Sequence, residues 1–233
     1  MSEDIFARSR LLWGDEGQDK LAAVHVVICG VGGVGAYAAE AIARCGVGEI
    51  TLIDFDDVSP TNINRQLPAL HSTVGRDKLD VMAERIRDIN PACTLHLKKE
   101  FIDTDNVPQL VGHVDGIIDA IDHIPGKLAL MRYAVAEDIA IVSAMGAGRR
   151  IAPEQLRIAD ISNSFGCPLV RNIRRELKKC GIEKGVTVVF SPETAPETCR
   201  TDTSVIASCA FVPGTSGLFA ASALIRKLLG IEL

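Results

Sequence analysis

Residues 24–35 read Val-His-Val-Val-Ile-Cys-Gly-Val-Gly-Gly-Val-Gly. The first six, five of them apolar, have the length and texture of a fully buried strand, and they run directly into glycines 30, 32, 33 and 35. Outward on the C-terminal side, residues 36–45 (AYAAEAIARC) suit a helix, which Gly46 can close from a C-cap position. A second apolar run, residues 49–53 (EITLI), ends at Asp54. Strand, glycine turn, helix and strand make a βαβ unit, so the two strands are expected to be parallel. The alternation continues with a helix over 77–88, strands over 94–98 and 116–121, a helix over 126–136 and a strand over 140–143. These elements predict an α/β fold: a doubly wound, mainly parallel, Rossmann-like sheet. A C-terminal αβ extension follows, with a strand over 156–161, a helix over 168–180, a strand over 186–190, a polar stretch over 191–203 and a helix over 217–230.

Composition agrees. The chain has 233 residues, 47% hydrophobic, 24% charged and only 4% aromatic, so an Ala, Val, Ile and Leu core is expected and disorder is excluded. Residues 204–225 carry no charge, but Pro213, Gly214 and Gly217 at their centre predict a buried strand, a turn and a helix, not a membrane span. The charged N-terminal segment has no apolar core like that of a secretory signal, and a cytoplasmic protein is expected. The seven cysteines (29, 45, 93, 167, 180, 199, 209) form no Cys-x-x-Cys pair, which argues against a disulfide framework and a four-cysteine zinc site.

Gly30, Gly32 and Gly35 spell Gly-x-Gly-x-x-Gly, with Asp54 19 residues beyond the last. Glycines at that turn let backbone N–H groups approach a phosphate at a helix N-terminus, and an acid at the end of the second strand can take ribose hydroxyls. An adenine nucleotide is indicated. Hydride chemistry is not: the Tyr-x-x-x-Lys pair of short-chain dehydrogenases is absent, since Tyr37 is followed by Ala41 and Tyr133 by Glu137.

After the second strand come Asp54-Phe-Asp56, Asn62-Ile-Asn-Arg65-Gln66, Lys78 and, in Ile-Asp-Ala-Ile-Asp, Asp119 and Asp122. In this order and spacing, with the Gly-x-Gly-Gly-x-Gly turn that adds Gly33, the sequence resembles the ThiF/MoeB superfamily of adenylating enzymes, which includes the ubiquitin-activating enzymes. The resemblance implies ATP held by the glycines, Asp54, Asp56, Asn62, Arg65, Gln66 and Lys78. It gives Arg65 and Lys78 the triphosphate, and Asp122, rather than Asp119, a magnesium ion. It also implies a homodimer in which Arg8, with Arg10 nearby, reaches into the partner subunit's site. Arg8, Asn62, Arg65, Lys78 and Asp122 are thus the candidate catalytic residues.

Within the superfamily, zinc-binding Cys-x-x-Cys pairs are missing and the length leaves no room for a thioester domain. The dehydratases that act on threonylcarbamoyladenosine in tRNA are the remaining resemblance, carried by Arg8-Ser-Arg-Leu-Leu-Trp-Gly, Asn62-x-Asn-Arg-Gln and Ala210-Phe-Val-Pro-Gly. It implies a modified tRNA as substrate and an acyl-adenylate intermediate. A change of texture after Gly148 divides one domain, 1–233, into an ATP-binding part, 1–148, and a part for substrate, tRNA and dimer contacts, 149–233. Cys167, Cys199 and Cys209 are candidate sulfur acceptors in a cysteine desulfurase system, or inert thiols. Charge points to nucleic acid independently. Residues 149–184 carry +5 within a chain of −5, leaving −10 elsewhere, and Arg171, Arg174, Arg175 and Lys178 recur at helical spacing, opposite Val170, Ile173 and Leu177. Two other readings stay open: activation of the C-terminus of a small sulfur-carrier protein, and a nucleotide sensor without turnover.

Overall fold

The computed structural model of the chain describes residues 4–199 and 205–232. Its centre is a seven-stranded sheet of β1 (His25–Cys29), β2 (Glu49–Ile53), β3 (Thr94–Lys98), β4 (Gly116–Asp119), β5 (Ala140–Ala144), β6 (Arg157–Asp160) and β7 (Thr187–Phe190). The order is β3-β2-β1-β4-β5-β7-β6, parallel except where β6 pairs with β7. The α/β, doubly wound and mainly parallel expectation holds.

Strand alternation divides the core. Val26, Ile28, Ile50, Leu52, Ile118, Val142 and Val189 face one side. There they meet α1 (Ala7–Ala23), α2 (Gly35–Arg44), α3 (Lys78–Ile89) and α7 (Phe211–Leu229). Val27, Ile53, Ile117, Ile141, Val188 and Phe190 face the other, under α4 (Val107–Val111), α5 (Ile124–Ala136) and α6 (Pro168–Lys179). Each fully buried Leu or Ile adds about 1.5–3 kcal/mol, so the inward stripes of the helices are what hold them to the sheet.

One helix lies where the sequence shows no period, and one sequence expectation differs from the structure. The helix α1 is kinked at Gly14 (φ 78°, ψ 169°) and carries charge on most faces, so no apolar period announces it. The strand and turn expected within 204–225 are also absent among the described residues: 205–210 form no strand, and α7 already begins at Phe211. Pro213 fits because the third N–H of a helix has no intrahelical partner. Gly214 faces the Tyr37 ring at ordinary contact distance, and a Cβ on Gly217 would stand 2.2 Å from the Val34 carbonyl oxygen. The glycines are therefore contact points between α7 and α2. No helix among the described residues is long and apolar enough to cross a membrane. The polar stretch has no helix or strand over 191–199, and its residues 200–203 lie outside the described residues.

Glu40 of α2 joins two helices, accepting from Arg44 and from both Arg85 Nε and Arg85 Nη2 of α3. The Arg85 hydrogen bonds, ahead of Arg44, hold its carboxyl below the usual range. A carboxyl depressed in the native state contributes stability above its unfolded pKa and loses that contribution as pH falls through the native value. Glu40→Gln is expected to lower unfolding free energy by about 1 kcal/mol or less at pH 7. Urea titrations below the native pKa should show the difference vanish; an undiminished difference in acid would contradict the assignment.

Candidate active site

The strand order reverses direction between β1 and β4, and doubly wound sheets bind ligands beyond the carboxyl ends of the strands at such a point. A cleft of about 360 Å³ opens there. The chain leaves β1 through Gly30, whose φ of +86° and whose virtual Cβ, 2.8 Å from the Ala120 carbonyl oxygen, both demand glycine. A Cβ on Gly35 would fall 1.7 Å from the Gly30 oxygen, so this residue seats α2 against the turn and does not line the cleft. Gly32 and Gly33 do line it, beside the start of α2, where no side chain caps the helix. The first N–H groups of a helix have no intrahelical partner and suit an anion.

From β2, Asp54 turns inward, 8% exposed, accepting from Val31 N (2.6 Å) and Asp56 N (2.9 Å). It ties the glycine turn to the second strand and keeps acceptor capacity for hydroxyls, since a carboxylate offers about four lone-pair sites. Lys78 is the first residue of α3, which Asp77 caps through Leu79 N (2.8 Å). Its Nζ meets Asp56 Oδ2 at 2.7 Å and its side chain is 4% exposed. Thus Asp56 aims the ammonium at the cleft. Arg65 is steadied by the Thr61 carbonyl (2.9 Å) and Asn64 Oδ1 (3.0 Å). Asn62 closes the preceding turn, its Oδ1 accepting from Ser59 N, and does not line the cleft. Gln66 Oε1 is buried without a donor among the described residues. An acceptor left so costs about 1–3 kcal/mol, which a nucleotide N–H or hydroxyl would recover.

The two acids of Asp-Ala-Ile-Asp separate cleanly. Asp119 is fully buried: its Oδ2 receives Lys127 Nζ (2.8 Å) and Ser143 Oγ (2.5 Å), and its Oδ1 receives Ile121 N (3.3 Å). Asp122 is exposed at the cleft and has no hydrogen bond or ion pair among the described residues. A hard cation needs such a free carboxylate, so the donor set at Asp122 fits magnesium.

Other candidates lie elsewhere. Arg8 is exposed on α1 and outside the cleft of its own chain, whereas Arg10 is occupied by Asp4, Asp15 and Asp19. On α6, Val170, Ile173 and Leu177 are buried, while Arg171, Arg175 and Lys178 are exposed. Arg174 folds back instead, donating to the Ser164 carbonyl (2.6 Å) and Oγ (3.1 Å). The N-terminal end of α6 reaches the segment after β5: Arg150 Nη2 lies 3.6 Å from Cys167 Sγ, and Ala147 and Gly148 of that segment line the cleft. Cys167 is buried and Cys209 Sγ faces the Arg150 carbonyl at 3.9 Å; neither lines the cleft.

One wall of the cleft has no signal in the sequence. Phe55 and Phe101 pack edge to face (centroids 5.1 Å apart), and with Ile102, Ile121 and Ile206 they give the cleft an apolar side. Phe55 stood next to Asp54, but nothing linked it to Phe101 across 46 residues.

A doubly wound fold with this phosphate-ready turn and this paired Lys and Arg defines a nucleotide-binding α/β protein. The chain belongs to the ThiF family, which matches residues 6–233. It is 42% identical to the tRNA threonylcarbamoyladenosine dehydratase of Bacillus subtilis (strain 168), over 96% of this chain and 94% of that protein. It is 43% identical to the protein of the same name from Escherichia coli (strain K12), over 81% of this chain and 73% of that one. The crystal structure of the E. coli tRNA N6-threonylcarbamoyladenosine dehydratase in complex with ATP superposes with a TM-score of 0.90 at 38% identity, covering 97% of this chain and 93% of that chain.

Proposed function

We infer that this protein is an ATP-dependent tRNA threonylcarbamoyladenosine dehydratase acting in the cytoplasm. The observation that carries the reading is the convergence of Asp54, Arg65, Lys78 and Asp122 on one cleft beside the glycine turn, in a chain so similar to named dehydratases. The threonylcarbamoyl carboxylate attacks the α-phosphorus of ATP, and the bond to the bridging oxygen breaks to release pyrophosphate. A nitrogen of the same modification then attacks the activated acyl carbon and loses its proton. AMP departs with the former carboxylate oxygen, a ring closes, and the nucleoside is lighter by one water.

Charge builds on the α-phosphate and on the departing pyrophosphate, so preorganised cations supply most of the rate. Lys78, held by Asp56, and Arg65 fill that role. Asp54 takes the ribose hydroxyls, Gly32 and Gly33 admit the phosphates, and Gln66 accepts from the nucleotide. Asn62 holds the turn that presents Arg65. Asp122 would hold magnesium, which when bound screens the triphosphate oxygens. No cysteine is needed as nucleophile. Residues 1–148 supply most of the ATP site and the Arg8 segment of the dimer contact, and 149–233 serve tRNA and further dimer contacts within one domain.

AMP release stimulated by threonylcarbamoylated tRNA, and not by a small protein ending in Gly-Gly, tests this reading; the reverse pattern would make the chain a sulfur-carrier adenylyltransferase. Release with neither substrate would sink both.

Two predictions concern surfaces. Arg171, Arg175 and Lys178 are assigned to tRNA phosphates. Their combined Glu substitution should weaken tRNA binding at least about tenfold at physiological salt and reduce the slope of log K against log salt by roughly 2–3. Filter binding across a salt series reads both, and an unchanged slope would remove α6 from the tRNA surface. Arg8 is assigned to the partner's site in a homodimer, because it lies outside its own cleft beside exposed Ile5 (65%), Leu11 (89%) and Leu12 (77%), an apolar surface suited to a second copy. Mixing inactive Arg8→Ala and Arg65→Ala subunits should restore about a quarter of wild-type AMP formation, as random pairing leaves half the dimers with one intact site. No recovery after confirmed subunit exchange would contradict it.

A further inference from the structure

At the opposite end of the sheet from the cleft, three side chains with metal-ligating atoms meet. The parallel register sets His25 beside Glu49 and Thr51 beside His96. Glu49 and Thr51 are two residues apart on β2, so all four side chains project from the same face. That face carries Val27 and Ile53 under α4 and α5 nearer the cleft, while the Glu49 and His96 side chains are partly exposed at this corner.

Glu49 Oε1 lies 2.8 Å from His96 Nε2 and 3.6 Å from His25 Nδ1. The ligand atoms of the three residues all lie within 4.8 Å of one another. An ion with four tetrahedral donors at 2.0–2.2 Å keeps neighbouring donors about 3.3–3.6 Å apart, which the His25 distance already meets and the His96 distance reaches with a small side-chain shift. The remaining nitrogen of His25, Nε2, lies 2.8 Å from Oγ1 of buried Thr51. With Nε2–H donating there, the Nδ1 lone pair faces the cluster, which is how an outer partner orients a ligating histidine. Side-chain exposures of 22% for His25, 42% for Glu49 and 45% for His96 leave a route for an ion and a water.

We propose that His25 Nδ1, the Glu49 carboxylate and His96 Nε2 bind one divalent transition-metal ion of the zinc type, with water completing the coordination. Two imidazoles select a late first-row ion over magnesium or calcium. The ion would join β1, β2 and β3, far from the nucleotide, so it acts on stability and not on AMP formation.

The test uses the full chain, stripped with chelator and titrated with zinc chloride by calorimetry and with cobalt(II) by visible spectroscopy. One equivalent should bind and raise the thermal midpoint. His25→Ala or His96→Ala should weaken binding at least about a hundredfold and abolish that rise, and Thr51→Val should weaken it about 10- to 100-fold. His113→Ala, an exposed histidine outside the cluster, should bind as the wild type does. Cysteines 29, 45, 93, 167, 180 and 209 carry free thiols. A thiolate charge-transfer band in the cobalt spectrum that survives His96→Ala would assign the metal to cysteines and overturn the proposal. So would no stoichiometric binding at micromolar zinc, or affinity unchanged in both histidine variants.

Discussion

Lys78→Met is expected to lower the rate of AMP formation at saturating substrates by about 10²–10³-fold, the usual cost of removing one preorganised group from a site where charge develops. The methionine keeps the buried stem of a side chain that is only 4% exposed, so packing at the start of α3 is preserved. What disappears is the ammonium that Asp56 holds 2.7 Å away. Asp56 itself is half-exposed and can be solvated when its partner is lost. Single-turnover measurement of AMP release, with circular dichroism to confirm the fold, separates the chemical loss from unfolding. A folded variant with wild-type turnover would take Lys78 out of the phosphate site. Asp56→Asn should give a smaller loss, because it loosens the aim of the charge without removing it.

The second large effect is on stability. Lys127, 1% exposed, donates to Asp119 Oδ2 (2.8 Å), Ser143 Oγ (3.2 Å) and the Ala144 carbonyl (2.9 Å), which uses all three ammonium protons. Lys127→Met leaves a fully buried carboxylate without its counter-charge and should cost about 3–5 kcal/mol in urea unfolding. Removing both charges in Lys127→Met with Asp119→Leu should recover much of that, because the uncompensated ion is the expensive part. A Lys127→Met variant within 1 kcal/mol of wild type would contradict the buried-pair account. The same network bears on the site, since Asp119 Oδ1 receives Ile121 N and so fixes the turn that carries Asp122.

The parts of this fold legible in sequence were those written in local periodicity. Residues 24–35 announce their strand and turn because buried parallel strands are continuous apolar runs and only glycine fits the backbone at 30 and 35. The cleft residues Asp54, Arg65, Lys78 and Asp122 were legible through their joint order, not singly, and the structure brings them to one place. What was missed depends on tertiary contact. Pro213, Gly214 and Gly217 read as a turn, because the closeness of α7 to α2 that suits those glycines is a property of two distant segments. Arg174 read as one of four equivalent basic residues, yet the turn at 161–164 supplies it with acceptors. The Phe55 and Phe101 wall and the His25, Glu49 and His96 cluster join residues whose strands are neighbours only in the folded sheet.

The most direct test incubates the protein with ATP, magnesium and tRNA bearing threonylcarbamoyladenosine, then digests the tRNA and weighs the nucleosides by mass spectrometry. The account predicts conversion of that nucleoside to one lighter by a single water, with one AMP formed for each and none of either from the folded Lys78→Met variant on the same timescale. Fully modified tRNA that keeps its mass, with AMP at background, would contradict it.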